Sequence, residues 1–118
     1  MTTLDLDTLH LDEGAHGTRE QGVCLMEAVA WYAGRDHSDA PQCVSPVLRG
    51  FGIHLNDVLP DERRQTLRLL IPALVGTAGD GLDKARSYMA LDWLIRIWTP
   101  AWLDLAGLFD DAAALRGL

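Results

Sequence analysis

The sequence predicts an all-α protein, a compact bundle of four to five helices with an extended N-terminal arm. Three observations lead there. Apolar residues recur at three- and four-residue spacing over most of the chain after residue 18. Helix-opening signals stand before those runs, at Thr18, at Ser45-Pro46 and at Thr99-Pro100. At 118 residues with 48% apolar content, the chain is long enough to bury one core without disulfides or metal. A single helical domain over 1–118 is the expectation, with 1–17 as the arm and 18–118 as the body.

The arm is read from period-two alternation. Leu4, Leu6, Leu9 and Leu11 are separated mainly by Asp and Thr, as in an extended segment or edge strand, and "GAHG" ends it. The first helix is expected from Thr18 to Ala33. "TREQ" has the form of a capping box, and Gly34 is suited to a left-handed stop. Met26, Val29 and Ala33 mark one face of this helix, but Leu25, Ala28, Ala30 and Trp31 spread apolar character around it, as in a central helix.

Ser45-Pro46 opens a second helix carrying Val47, Leu48, Phe51 and Leu55, where Gly50 and Gly52 point to a close crossing or a bend. A third opens at Pro60, with Leu67, Leu70, Ile71 and Leu74 inward and Arg63, Arg64 and Arg68 outward, until Pro72 kinks or ends it. After the flexible "GTAGDG", the strongest helical pattern runs from Leu82 to Trp98. Its inward residues are Ala85, Met89, Leu91, Leu94, Ile95 and Trp98. Thr99-Pro100 starts a short helix through Trp102, Leu103 and Ala106, and residues 110–116 add a last turn.

Charge narrows the function classes. Seventeen acids against ten bases give a net charge of −7, which disfavours nucleic acid as a partner because phosphate contacts need clustered Lys and Arg. No apolar stretch approaches the roughly 20 residues of a membrane span. The acidic N-terminus lacks the basic and apolar regions of a signal peptide, so a cytoplasmic protein is expected. Nine of the ten bases are Arg, a bias of GC-rich bacterial or phage coding.

The chemistry-bearing stretch is "GVCLMEAVAWYAGRDHSDAPQC", which holds both cysteines. Three readings compete. Cys24, His37 and Cys43, with Asp39, Glu27 or His16 as a fourth ligand, have the donor types of a zinc site but lack a close ligand pair. Cys24 as a nucleophile would need His37 or His54 as base and Asn56 as orienter, yet the predicted helix places it in the second turn, where the dipole has faded. The preferred reading is structural. Glu27 sits inside an apolar helix and needs partners, and Arg35, His37, a loop N–H or the Trp31 indole can supply them. His10, His16 and His54 read as ordinary surface or cap residues. On this basis Glu27→Leu should be tolerated better than His37→Ala or Arg35→Ala.

The segments "CLMEAVAWYAGRDHSDAPQCVSPV", "LNDVLPDERRQ", "LIPALVGT" and "YMALDWLIRIWTPAWLDLAGL" resemble a family of small actinobacterial-type, other bacterial and phage proteins. The resemblance covers most of residues 14–108 and implies a bacterial or phage setting, with no activity, cofactor or catalytic residue attached. The functional expectation is an accessory or regulatory protein that binds another protein or a second copy of itself. Trp98, Trp102 and Phe109 are the candidate contact residues, and no catalytic residue and no cofactor beyond the zinc alternative are assigned.

Overall fold

In the computed structural model, residues 4–118 are described, and residues 1–3 of the expected arm lie outside them. The described chain is all-α: helical segments occupy most of it, and no β-strand occurs among the described residues. It divides into two compact units, one ending at Leu82 and one spanning Asp83–Leu118.

The first unit is built around α1 (Leu25–Tyr32), whose residues 25–30 are all buried. That burial on every side is what its nearly continuous apolar sequence requires. The helix is shorter than expected at its start. Thr18 does cap a turn through a capping box, but the turn is 3₁₀ and covers only Arg19–Gln21. Gly22 then takes φ 132°, a conformation that other residues avoid, and the chain re-enters helix at Leu25 with Cys24 as the cap. The far end is as predicted. Gly34 has φ 71°, and the Arg35 N–H reaches back to the Ala30 carbonyl at 2.8 Å.

Among its described residues the N-terminal segment forms no edge strand; it turns over residues 6–8 and buries Leu9 and Leu11 in the core. Side chains hold its backbone in place of a neighbouring strand. Gln65 accepts the Leu11 N–H and donates to the Leu11 carbonyl, both at 2.8 Å. Arg68 donates to the Leu9 and Asp7 carbonyls at 2.8 and 3.2 Å. Arg68 is therefore a half-buried clamp rather than an outward charge.

Ser45 caps α2 (Pro46–Val58) as expected, accepting the Leu48 N–H. The buried face of α2 is Gly52 and Asn56, one turn apart, while Phe51 and Leu55 are exposed. A Cβ at Gly52 would stand 2.8 Å from the Met26 methyl and 3.3 Å from Leu25, so the glycine marks a close crossing against α1. From Asp61 the chain stays helical through α3 (Asp61–Arg64), a 3₁₀ stretch (Gln65–Leu70) and α4 (Ile71–Leu74). Leu67, Ile71 and Leu74 are buried as predicted, but Leu70 is exposed. Arg64, expected outside, is buried because its guanidinium serves the Asn56 and Leu59 carbonyls and Asp61.

The second unit starts with α5 (Asp83–Trp93), which continues through a π-helical stretch (Leu94–Trp98) into α6 (Thr99–Leu105). Thr99 is thus no helix start. Pro100 lies within a continuing helix, and the preceding π turn lies where a proline removes a backbone donor. Gly107 at φ 78° reverses the chain, and α7 (Phe109–Arg116) folds back on α6 with Arg116 paired to Asp104. Among the described residues, no helix is long and apolar enough to cross a membrane.

Candidate functional site

The buried carboxylate of Glu27 organises the polar centre of the first unit. Cys24 and Glu27 stand in the N-cap and N3 positions of α1. The Cys24 N–H donates to Glu27 Oε1 at 2.9 Å, and the Glu27 N–H points at Cys24 Sγ at 3.5 Å. This is a capping box with a thiol in place of the usual hydroxyl.

Two further segments converge on the same carboxylate. The His16 N–H donates to Oε2 at 2.8 Å and His16 Nδ1 to Oε1 at 2.9 Å. From the loop after α1, His37 Nε2 lies 3.0 Å from Oε2 and 2.8 Å from the His16 carbonyl. Each of these ring nitrogens faces only acceptors, which assigns the proton to His16 Nδ1 and to His37 Nε2. Glu27 is 1% exposed and accepts from three N–H groups, with His37 Nε2 lying against Oε2 as a further polar contact.

Electrostatics follow from this geometry. Burial alone would raise the Glu27 pKa, but the Cys24 N–H, the His16 imidazole and the His16 N–H outweigh it and hold the carboxyl down to about 2. The Cys24 thiol moves the other way. Burial, with the negative Glu27 beside it, pushes it up to about 12. A thiol so far from ionising serves as a cap and a packing group.

Of the residues expected around Glu27, His37 lies against it. Arg35 is exposed, and its carbonyl accepts from the Arg19 guanidinium, which also lies 5.4 Å over the Trp31 ring. Arg35 is thus turned away from Glu27. His16, read as a surface residue, supplies two of the three donors. No spacing rule reaches it, because it belongs to a loop that only folding lays beside α1. The cysteine box, by contrast, was within reach: C-x-x-E in front of an apolar run matches S/T-x-x-E with sulfur for oxygen.

The proposed zinc ligands Cys24, His37, Cys43 and Asp39 are not gathered. Cys24 caps α1 and Cys43 is buried in the core, with its carbonyl accepting from Gly76 and Ala78 at 3.0 and 3.2 Å, while Asp39 is exposed. Among the described residues, no group of three or more His, Cys, Asp or Glu side chains could hold a metal ion.

The second unit offers a surface of a different kind. Along its long helix Tyr88, Leu91, Leu94, Trp98, Trp102 and Leu105 repeat at intervals of three and four residues, and each is between 42% and 80% exposed. Residues expected to face inward, Met89, Leu91, Leu94 and Trp98, are exposed; Ile95 is half-buried. Trp98 stacks on Trp93 at 5.6 Å and meets Trp102 edge-on at 5.8 Å, so the indoles form a ladder. Phe109 is also exposed. In this whole unit only Pro100 and Ala112 are buried. No protein-family model, curated protein or solved structure matches the chain.

Proposed function

We propose that this chain is a small accessory or regulatory protein of a bacterial or phage cytoplasm, acting by binding protein through residues 83–118. One observation carries the reading: a ladder of three indoles within an exposed apolar surface on a unit that buries only two of its own residues. An apolar stripe rimmed by charges such as Asp92, Arg96 and Asp104 is the usual form of a protein-contact surface, with aromatic anchors at its centre. The Glu27 cluster supports the same reading from the other side. Its carboxylate is held by three donors and its thiol is held protonated, which suits a fastener between segments better than a reacting centre.

The test is site-specific photo-crosslinking in cells, with the reactive residue at position 102 and, as control, at exposed Glu62. A discrete covalent protein adduct from position 102 alone is expected. No adduct from position 102, or the same adducts from both, would count against the reading.

A further inference from the structure

We infer that the occupant of the exposed stripe is a second copy of this chain, paired helix to helix along Tyr88, Leu91, Leu94, Trp98, Trp102 and Leu105; this rests on the docking role given to residues 83–118. The spacing is the first argument. Intervals of three and four over six positions place these side chains in one narrow strip along a helix of about 35 Å, given 1.5 Å per residue. Such a strip is the seam by which helices pair with each other. It is self-complementary in kind, since each copy presents the same knobs and the same holes to the other.

Charge is the second argument. Residues 83–118 carry five acids and four bases, a net −1, whereas residues 1–82 carry twelve acids and six bases, a net −6. Within the second unit Arg86 pairs with Asp83, Arg96 with Asp92 and Arg116 with Asp104. Two copies therefore meet at this surface almost without repulsion between the contacting units. A strongly basic partner would instead be drawn to residues 1–82. A membrane surface fits less well, because its helices carry Lys and Arg along the polar face, and here acids and bases alternate.

Area is the third. Tyr88, Trp98 and Trp102 are each about half exposed, so at about 150–250 Å² per aromatic they alone bring roughly 300 Å². Leu91, Leu94, Leu105 and their neighbours extend this toward the roughly 800 Å² per partner of a standard interface.

The experiment is sedimentation velocity of the full chain from low micromolar to near-millimolar concentration, with acrylamide quenching of tryptophan on the same samples. A monomer–dimer equilibrium is expected, with quenching reduced in the dimer. Leu94→Glu should weaken dimerisation by about tenfold or more, and Leu69→Glu, in the other unit, should leave it unchanged. Should Leu94→Glu lose helicity, Leu105→Glu carries the same expectation, as the stripe residue most exposed and least coupled to folding. A monomer throughout, with freely quenched tryptophans, overturns the second copy while leaving the docking surface standing. A monomer whose tryptophans are shielded overturns both readings, as the stripe is then covered within one chain. A dimer indifferent to Leu94→Glu and Leu105→Glu also overturns the pairing.

Discussion

His37 and Glu27 are ten residues apart, yet His37 Nε2 lies 3.0 Å from the Glu27 carboxylate while it donates to the His16 carbonyl at 2.8 Å. One imidazole thus ties the loop after α1 both to α1 and to the N-terminal segment. The same carboxylate accepts two backbone N–H groups, of Cys24 and His16. This reverses the mutational order expected from the sequence. Glu27→Leu strands three donors, two of them backbone groups that no mutation can remove, whereas His37→Ala leaves all three bonded to the carboxylate. At about 1–3 kcal/mol for each stranded buried group, Glu27→Leu should cost several kcal/mol and more than His37→Ala. Arg35→Ala should cost least. Urea titrations followed by circular dichroism will rank the three; a Glu27→Leu midpoint above that of His37→Ala would refute the assignment of the carboxylate as hub.

Acid should undo this hub in a defined window. The folded carboxyl titrates at about 2, below its ordinary 4.5, so between those values the unfolded chain binds the extra proton. The contribution of Glu27 is fully present above about pH 4.5 and lost as pH falls toward 2. Stability measured across that range should decline in the parent protein and decline less steeply in Glu27→Gln. Parallel slopes would show that other carboxyls dominate.

Cys24 is expected to behave as a cap. Cys24→Ser keeps an acceptor for the Glu27 N–H and should change stability by less than about 1 kcal/mol, while Cys24→Ala should lose about 1 kcal/mol. With its pKa near 12 and its sulfur buried, the native thiol should react with iodoacetamide far more slowly than in urea. Mass spectrometry of the alkylated peptide measures both states, and equal rates would remove the cap from the account.

Two glycines one turn-half apart in α2 should respond with opposite signs. Gly50 has open space where a Cβ would go, so Gly50→Ala should stabilise by about 0.5–1 kcal/mol through helix propensity. At Gly52 the added methyl meets the Met26 side chain at 2.8 Å, and Gly52→Ala should destabilise by about 1–3 kcal/mol. Thermal melts of both variants decide the matter. A stabilising Gly52→Ala would mean that α1 and α2 are not in close contact there.

Much of the helical pattern was legible because it depends on neighbours in sequence. Ser45-Pro46 opens α2 and Gly34 closes α1, since capping is satisfied within four or five residues. Leu67, Ile71 and Leu74 fall inward at helical spacing for the same reason. The differences have equally specific causes. Cys24 caps α1 instead of lying inside it, because its sulfur accepts where a hydroxyl usually does. Arg64 and Arg68 turn inward because a guanidinium can leave water when carbonyls of other segments replace it, as those of Asn56, Leu59 and Leu9 do here.

By itself, then, the sequence determined an all-α chain, several of its helix ends, and the presence of a carboxylate at Glu27 that had to find donors. Only the tertiary structure decided that the donors are His16 and the Cys24 N–H, with His37 against the same carboxylate, and that no metal-holding group forms among the described residues. It also decided that the aromatic stripe of residues 88–105 remains uncovered. The reason is physical: periodicity and capping report on partners within a turn or two, whereas a buried charge and an apolar face are completed by whatever folding brings across the chain.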